Sequence, residues 1–283
     1  HPLGLYRQLC VTCHGVSGDG AGPAAATLDP YPRDFRNGTF KYTSTMAGAR
    51  PTDEDLRRVL LRGVPGTSMP SQIKLTGARI DALVEYVKYL SIRGQTELYL
   101  LQLVVDEDAF LPLAMDEVLE DGVLPAAGLW AKAQSMIVRP PPPPPVDTPQ
   151  KLAASIAKGR ELYARKESQC TKCHGPDGRG DGEERELYDD WNKRKKGIDA
   201  QQTAALAHLF RLPIERLRAR DFREGVFHGG ANPPDLYLRI HVGIKGTPMP
   251  PAGPAPGAPG VLTPDEIWHI VNYVLSLSQS IAP

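Results

Sequence analysis

Cys10-Val11-Thr12-Cys13-His14 and Cys170-Thr171-Lys172-Cys173-His174 are two copies of one pattern, and together they use all four cysteines of this 283-residue chain. Each runs on into a glycine, Gly15 and Gly175. A C-x-x-C pair can be a redox disulfide or half of a zinc site. Neither fits well: the pairs lie far apart, a His follows each at once, and no separate His-x-x-x-His completes a zinc tetrahedron. C-x-x-C-H is instead the attachment pattern of c-type haem, in which two thiols form thioethers with the porphyrin vinyls and the adjoining imidazole reaches the iron. Two covalent haem c groups are therefore expected, one held by Cys10, Cys13 and His14 and the other by Cys170, Cys173 and His174.

The sixth iron ligand separates an electron carrier from an open catalytic iron. A Met thioether opposite His fills the coordination sphere and raises the reduction potential. Gly66-Thr67-Ser68-Met69-Pro70 follows the first motif and Gly246-Thr247-Pro248-Met249-Pro250 the second. Met69 and Met249 occur once per copy in Gly/Pro-rich loops, so they read as axial ligands. Met46, Met115 and Met136 read as core fillers.

The repetition extends further. Gly18-Asp19-Gly20, Arg33-Asp34-Phe35, Gly38-Thr39-Phe40, Asp55-Leu56, Gly63, Leu75-Thr76 and Tyr86-Val87 recur as Gly180-Asp181-Gly182, Arg220-Asp221-Phe222, Gly225-Val226-Phe227, Asp235-Leu236, Gly243, Leu262-Thr263 and Tyr273-Val274. The offset is 160 residues at the cysteines, 187 at the Arg-Asp-Phe run, 180 at the methionines and 187 at the last pair, so the copies differ by loop insertions. Both copies resemble class I c-type cytochromes, and the whole resembles a dihaem cytochrome c of bacterial respiratory chains. The resemblance implies an all-α fold: two tandem cytochrome c domains, residues 1–94 and 148–283, around a connector, 95–147. In each, a first helix leads into the haem motif, a loop carries the Met, and a last helix crosses the first.

Periodicity supports the last helix independently. Ile80, Leu83, Val84, Val87 and Leu90 fall at helical spacing, as do Ile267, Ile270, Val271, Val274 and Leu275. Thr263, Pro264 and Glu266 together read as a capping box with proline at the first helical position.

The copies also differ. In this family a proline after the haem motif commonly offers its carbonyl to the second imidazole nitrogen. Pro23 is the candidate in the first copy, whereas the second has Glu183 and Glu184 near that place. An insert in the second copy carries Trp191, a haem-packing or core residue, and the basic run Lys193 to Lys196, a solvated face or a docking patch for an acidic partner. Arg33 and Arg220, at matched positions, could pair with haem propionates or lie on the surface. His241 aligns with Leu61 and is a minor alternative ligand for the second iron; His1, His208, His228 and His269 read as surface or satisfied histidines.

Residues 95–149 carry nine acidic and two basic side chains. Their apolar run from Leu98 to Val105 is far shorter than the roughly 20 residues a membrane span needs, so it is expected to pack on a domain or a partner. Pro140 to Pro145 should form a stiff polyproline spacer of about 19 Å. The whole chain has 33 basic and 33 acidic residues, which argues against nucleic acid.

The resemblance implies haem attachment in the periplasm or at the outer face of the cytoplasmic membrane, and hence removal of an export signal. The first copy starts only four residues before Cys10 at Tyr6, so a lead-in or anchor ahead of His1 is an open expectation. Two functions compete. One is single-electron transfer between respiratory redox partners, as a carrier or as a non-catalytic subunit of a membrane quinol-oxidising complex. The other is a dihaem enzyme such as a cytochrome c peroxidase, which needs an iron left open, and the two Met loops weigh against it. No nucleophile constellation or phosphate-binding glycine loop is present.

Overall fold

In the computed structural model the Thr263–Glu266 capping box forms as expected. The Thr263 amide donates to Glu266 Oε2 at 2.8 Å and the Glu266 amide donates to Thr263 Oγ1 at 3.3 Å. The same device, unforeseen, starts the helix before the first Met loop: Asp55 accepts from the Thr52 amide and Thr52 Oγ1 from the Asp55 amide, each at 3.1 Å. The structure describes residues 4–107, 115–193 and 212–279. His1, His208 and Arg194 to Lys196 of the basic run lie outside them. Among the described residues the fold is helical, with isolated bridges at Thr45–Ile137 and Ala255–Ala258 and no strand. The chain forms two units: the described residues up to Ile137, without Val64–Thr67, belong to the first, and Val64–Thr67, Val138–Lys193 and the described residues from Ile214 on belong to the second.

The first unit contains α1 (Leu5–Leu9), α2 (Val11–His14), α3 (Asp53–Arg62) and α4 (Gly77–Glu107). Tyr6 of α1 meets Tyr86 of α4 at 4.9 Å between ring centroids, which sets the first helix against the last. Ile80, Leu83, Val84, Val87 and Leu90 are all buried, as their spacing requires, with Leu56 and Leu60 of α3 and with Phe35 and Phe40.

α4 does not end with the repeat. It continues as one helix through residues 95–107, and Gln95 and Thr96 turn side-chain bonds back onto Ser91 and Ile92. Beyond it come α5 (Met115–Glu117), a π-helical turn (Val118–Val123), α6 (Leu124–Ala131) and a 3-10 turn (Lys132–Met136). This segment is part of the first unit. Ala126, Trp130 and Ala133 are buried, Gly122 sits against Tyr99, and the Met46 amide donates to Met136 O at 2.9 Å. Met115, by contrast with its expected core role, is exposed, because α5 turns it outward.

The second unit contains α7 (Pro149–Ala164), α8 (Cys170–His174), α9 (Pro233–Val242) and α10 (Pro264–Gln279). α7 and α10 cross closely at Gly159, where any Cβ would stand 2.0 Å from the His269 carbonyl oxygen. Tyr163 and Tyr273 meet at 5.3 Å, repeating the Tyr6–Tyr86 contact. Ile267, Ile270, Val271 and Val274 are buried, whereas Leu275 is only half-buried. The prolines are not free of the fold: Trp268 Nε1 donates to Pro141 O at 3.0 Å.

Candidate haem sites

Cys10 and Cys13 lie on one short helical turn with His14, and Cys170 and Cys173 lie on another with His174. One turn separates the two thiols, so both reach the same side of the helix that the imidazole continues. All four are free thiols and half-buried. Burial pushes the thiols of Cys10 and Cys170 up to about 11, the opposite of an activated thiolate.

Each imidazole is fixed from behind. His14 Nδ1 lies 3.1 Å from Arg33 O and His174 Nδ1 lies 3.3 Å from Arg220 O. A carbonyl only accepts, so the proton sits on Nδ1 and the Nε2 lone pair is left for a metal. Burial lowers the pKa of both histidines, which favours the neutral ring an iron needs. The acceptor in the first copy is thus Arg33, not Pro23. The repeat held the signal: Arg33 and Arg220 occupy matched positions, whereas Pro23 has no counterpart. On the ring face, Phe35 stacks on His14 and Phe222 on His174, each at 4.5 Å.

Tyr6 Oη donates to Gly15 O at 2.9 Å and Tyr163 Oη donates to Gly175 O at 2.6 Å, tying the end of each motif to the helix that leads into it. Burial raises both phenols, so they stay protonated donors.

The methionine loops match as closely. Gly63 and Gly243 end α3 and α9 at φ of 67° and 71°, and a Cβ on either would stand 2.7 Å from the carbonyl oxygen of Met69 or Met249. Only glycine admits that turn and that approach. Thr67 Oγ1 donates to Val64 O at 2.8 Å, and Thr247 Oγ1 donates to Ile244 O at 2.7 Å. Met69 packs against the first core, as do Cys10 and Val11. Met249 is half-buried, and its loop is also clamped by the insert, whose Asp190 amide donates to Gly246 O at 2.9 Å. Trp191 follows directly and is half-buried.

His241 is held elsewhere. Its Nε2 lies 3.0 Å from Pro254 O and its Nδ1 3.4 Å from Tyr237 Oη, so both nitrogens are engaged in a buried network. His269 Nδ1 meets Ser155 Oγ at 2.7 Å at the crossing of α7 and α10. The Arg220 guanidinium lies on His228 and 3.6 Å from Glu224.

The donor sets fit covalent haem on three counts. Free paired thiols stand beside an imidazole with one nitrogen already committed. A methionine loop of one build recurs in each copy. Trp130 Nε1, buried near the first site, has no acceptor among the described residues.

The cytochrome c family matches residues 4–91 and 156–278. Comparison with curated proteins gave no match. Among solved structures, the chain is similar to one from the reducing HAO-like protein complex of Kuenenia stuttgartiensis. The identity is 28% and the TM-score 0.65, over 96% of this chain and 93% of that one. With both copies matched and both sites built alike, the chain belongs to the cytochrome c family, as a tandem of two cytochrome c domains that transfers electrons through haem.

Proposed function

We propose that this chain carries two covalent haem c groups, one in each of domains 1–94 and 148–283, and passes single electrons between protein partners without catalysing a substrate reaction of its own. The observation that supports it most is the pair of Nδ1 bonds, His14 to Arg33 O and His174 to Arg220 O, since two copies separated by unequal insertions keep the same imidazole poise.

In this reading Cys10 and Cys13, and Cys170 and Cys173, are the thioether anchors. His14 with Met69 and His174 with Met249 are the iron ligands. Haem bound there supplies a one-electron couple whose potential His/Met ligation raises. The chain's own contribution is to hold the ligands still. Gly63 and Gly243 let the Met loops turn, Phe35 and Phe222 back the imidazoles, and the buried isoleucines and valines of α4 and α10 keep water from the interior. With His14 and Met69, and His174 and Met249, holding the irons, neither would offer a place for peroxide, which disfavours the peroxidase reading.

The partner is proposed to be a larger oxidoreductase, with this chain as its electron-transfer subunit. Similarity over nearly the full length to a chain of an HAO-like complex supports an assembly of that kind over a quinol-oxidising complex. Among the described residues no helix is long and apolar enough to cross a membrane. Haem attachment outside the cytoplasmic membrane is part of the same proposal.

Spectroelectrochemical titration of the holoprotein tests it. Two reversible one-electron couples with low-spin ferric spectra, and no turnover of hydrogen peroxide, are expected. A high-spin ferric haem with peroxidase turnover would overturn it.

A further inference from the structure

Arg33-Asp34-Phe35-Arg36 and Arg220-Asp221-Phe222-Arg223 are the same four residues in both copies. The first gives the carbonyl that accepts from Nδ1 of His14 or His174, and the third stacks its ring on that histidine. The second and fourth pair with each other. Arg36 donates to Asp34 Oδ1 from its amide at 2.9 Å and from Nε at 3.1 Å, and to Oδ2 from a terminal nitrogen at 2.8 Å. Arg223 repeats all three bonds on Asp221, at 3.0, 2.9 and 2.5 Å.

This closure tightens a turn that is also tied from the other side. The Phe35 amide donates to Gly18 O and the Phe222 amide to Gly178 O, each at 2.8 Å. With the carboxylate of residue 34 bonded forward and the next amide bonded back, the peptide plane that carries the Arg33 carbonyl has little freedom to swing. A neutral Asn or Ser would suffice for the amide bond alone. A charged carboxylate, buried at Asp34, is costly unless it is paired, and a guanidinium fork is the pairing that also fixes direction. The pair recurs although imidazole and acceptor lie 19 residues apart in one copy and 46 in the other. In the first copy α4 leaves it room, since a Cβ on Gly94 would stand 2.3 Å from Arg36 Cβ.

We infer that Asp34 with Arg36, and Asp221 with Arg223, are positioning residues for the imidazoles: each pair holds the turn whose first carbonyl accepts from His14 or His174, and so tunes the reduction potential of one iron. This rests on the proposed haem binding at the two Cys-x-x-Cys-His motifs. A firm bond from Nδ1–H makes Nε2 a more basic ligand, and a more basic ligand favours the ferric state. Each fork thereby lowers the potential of its own site. Loosening one should raise that potential and leave the other where it was.

Arg36→Lys keeps the positive charge and gives up the fork, so its effect on the haem belongs to geometry and not to charge. The parent protein is weighed intact first: a parent without two haems would sink the haem reading itself, whereas with two haems present the couples test the pairs. One couple should shift to higher potential in Arg36→Lys and the other couple in Arg223→Lys. In each case the reduced-to-oxidised ratio at the native midpoint should rise about twofold to tenfold, the range one hydrogen bond commands. By proton NMR of the reduced protein, the ring N–H of His14 alone should exchange faster in the first variant, and that of His174 alone in the second. A pair that only stabilises the fold would lower the urea midpoint and leave couples and ring protons in place. That result, or an equal shift of both couples in either variant, would overturn the inference. Where one variant fails to hold haem, the other decides; failure of both would reduce the pairs to structural supports and overturn it as well.

Discussion

His174 Nδ1 lies 3.3 Å from the carbonyl oxygen of Arg220, 46 residues along the chain, and His14 makes the same contact with Arg33 only 19 residues away. The insertion in the second copy is therefore absorbed without disturbing the imidazole. The bond belongs to the backbone, so the side chains at 33 and 220 can vary while it persists. What backs the ring is the neighbouring phenylalanine.

Phe35→Ala should accordingly be severe. Phe35 is buried, stacked on both His14 and Phe40, and its removal opens a cavity behind the imidazole. The expected loss is about 3–5 kcal/mol in chemical denaturation of the holoprotein, with Phe35→Leu costing less than half as much. Equal stability for Phe35→Ala and the parent would contradict the packing.

The Met loops predict a graded series. Met69→Ala or Met249→Ala should each open one iron to added ligands such as imidazole and lower one potential. Gly243→Ala leaves the thioether in place but sets a Cβ 2.7 Å from the Met249 carbonyl at positive φ. It should weaken the sulfur-to-iron charge-transfer band of that site and cost 1 kcal/mol or more, about what a strained left-handed residue costs. A full band in Gly243→Ala would show that the loop yields cheaply.

These candidate sites are legible in the sequence because their elements are short-range: C-x-x-C-H, the glycine before each Met loop, and the apolar faces of α4 and α10 are each read within a few turns. The capping box at Thr263 was legible for the same reason. Three things were not. The continuation of α4 to Glu107 is hidden because a leucine-rich run reads equally as a surface for a partner. The burial of Trp130 depends on the chain after α4 returning to Phe40, which no local pattern encodes. His241, only a minor alternative ligand by sequence, is held by Tyr237 and Pro254, and the Pro254 contact lies 13 residues away where no local pattern shows it. The Arg33 carbonyl could have been read from the repeat, by asking which candidate acceptor had a partner in the second copy.

Acid should loosen the start of α10. The Thr263 amide, with help from Arg165, holds the Glu266 carboxyl below its usual range. A group depressed on folding adds stability above its unfolded value of about 4.5, and that share is lost as pH falls through the lower folded value. Glu266→Gln should thus cost about 0.5–1 kcal/mol near pH 7 and little near pH 3, as read from urea midpoints across that range. A cost that is the same at both pH values would place the effect outside the carboxylate.

In the first unit Leu98 and Leu101 of α4, Leu119 of the π turn, and Leu124 and Leu129 of α6 are each exposed. If the chain works docked to a partner through these elements, their amides should exchange more slowly in the native assembly than in the isolated chain. Equal exchange in the two would point to a self-contained carrier.

The central claim is two covalent haems, and the mass of the intact denatured protein tests it most directly. The account predicts one species heavier than the polypeptide by two haems, with Cys10→Ala/Cys13→Ala and Cys170→Ala/Cys173→Ala each reducing the excess to one. An excess of a single haem in the parent protein, or of none, would contradict it.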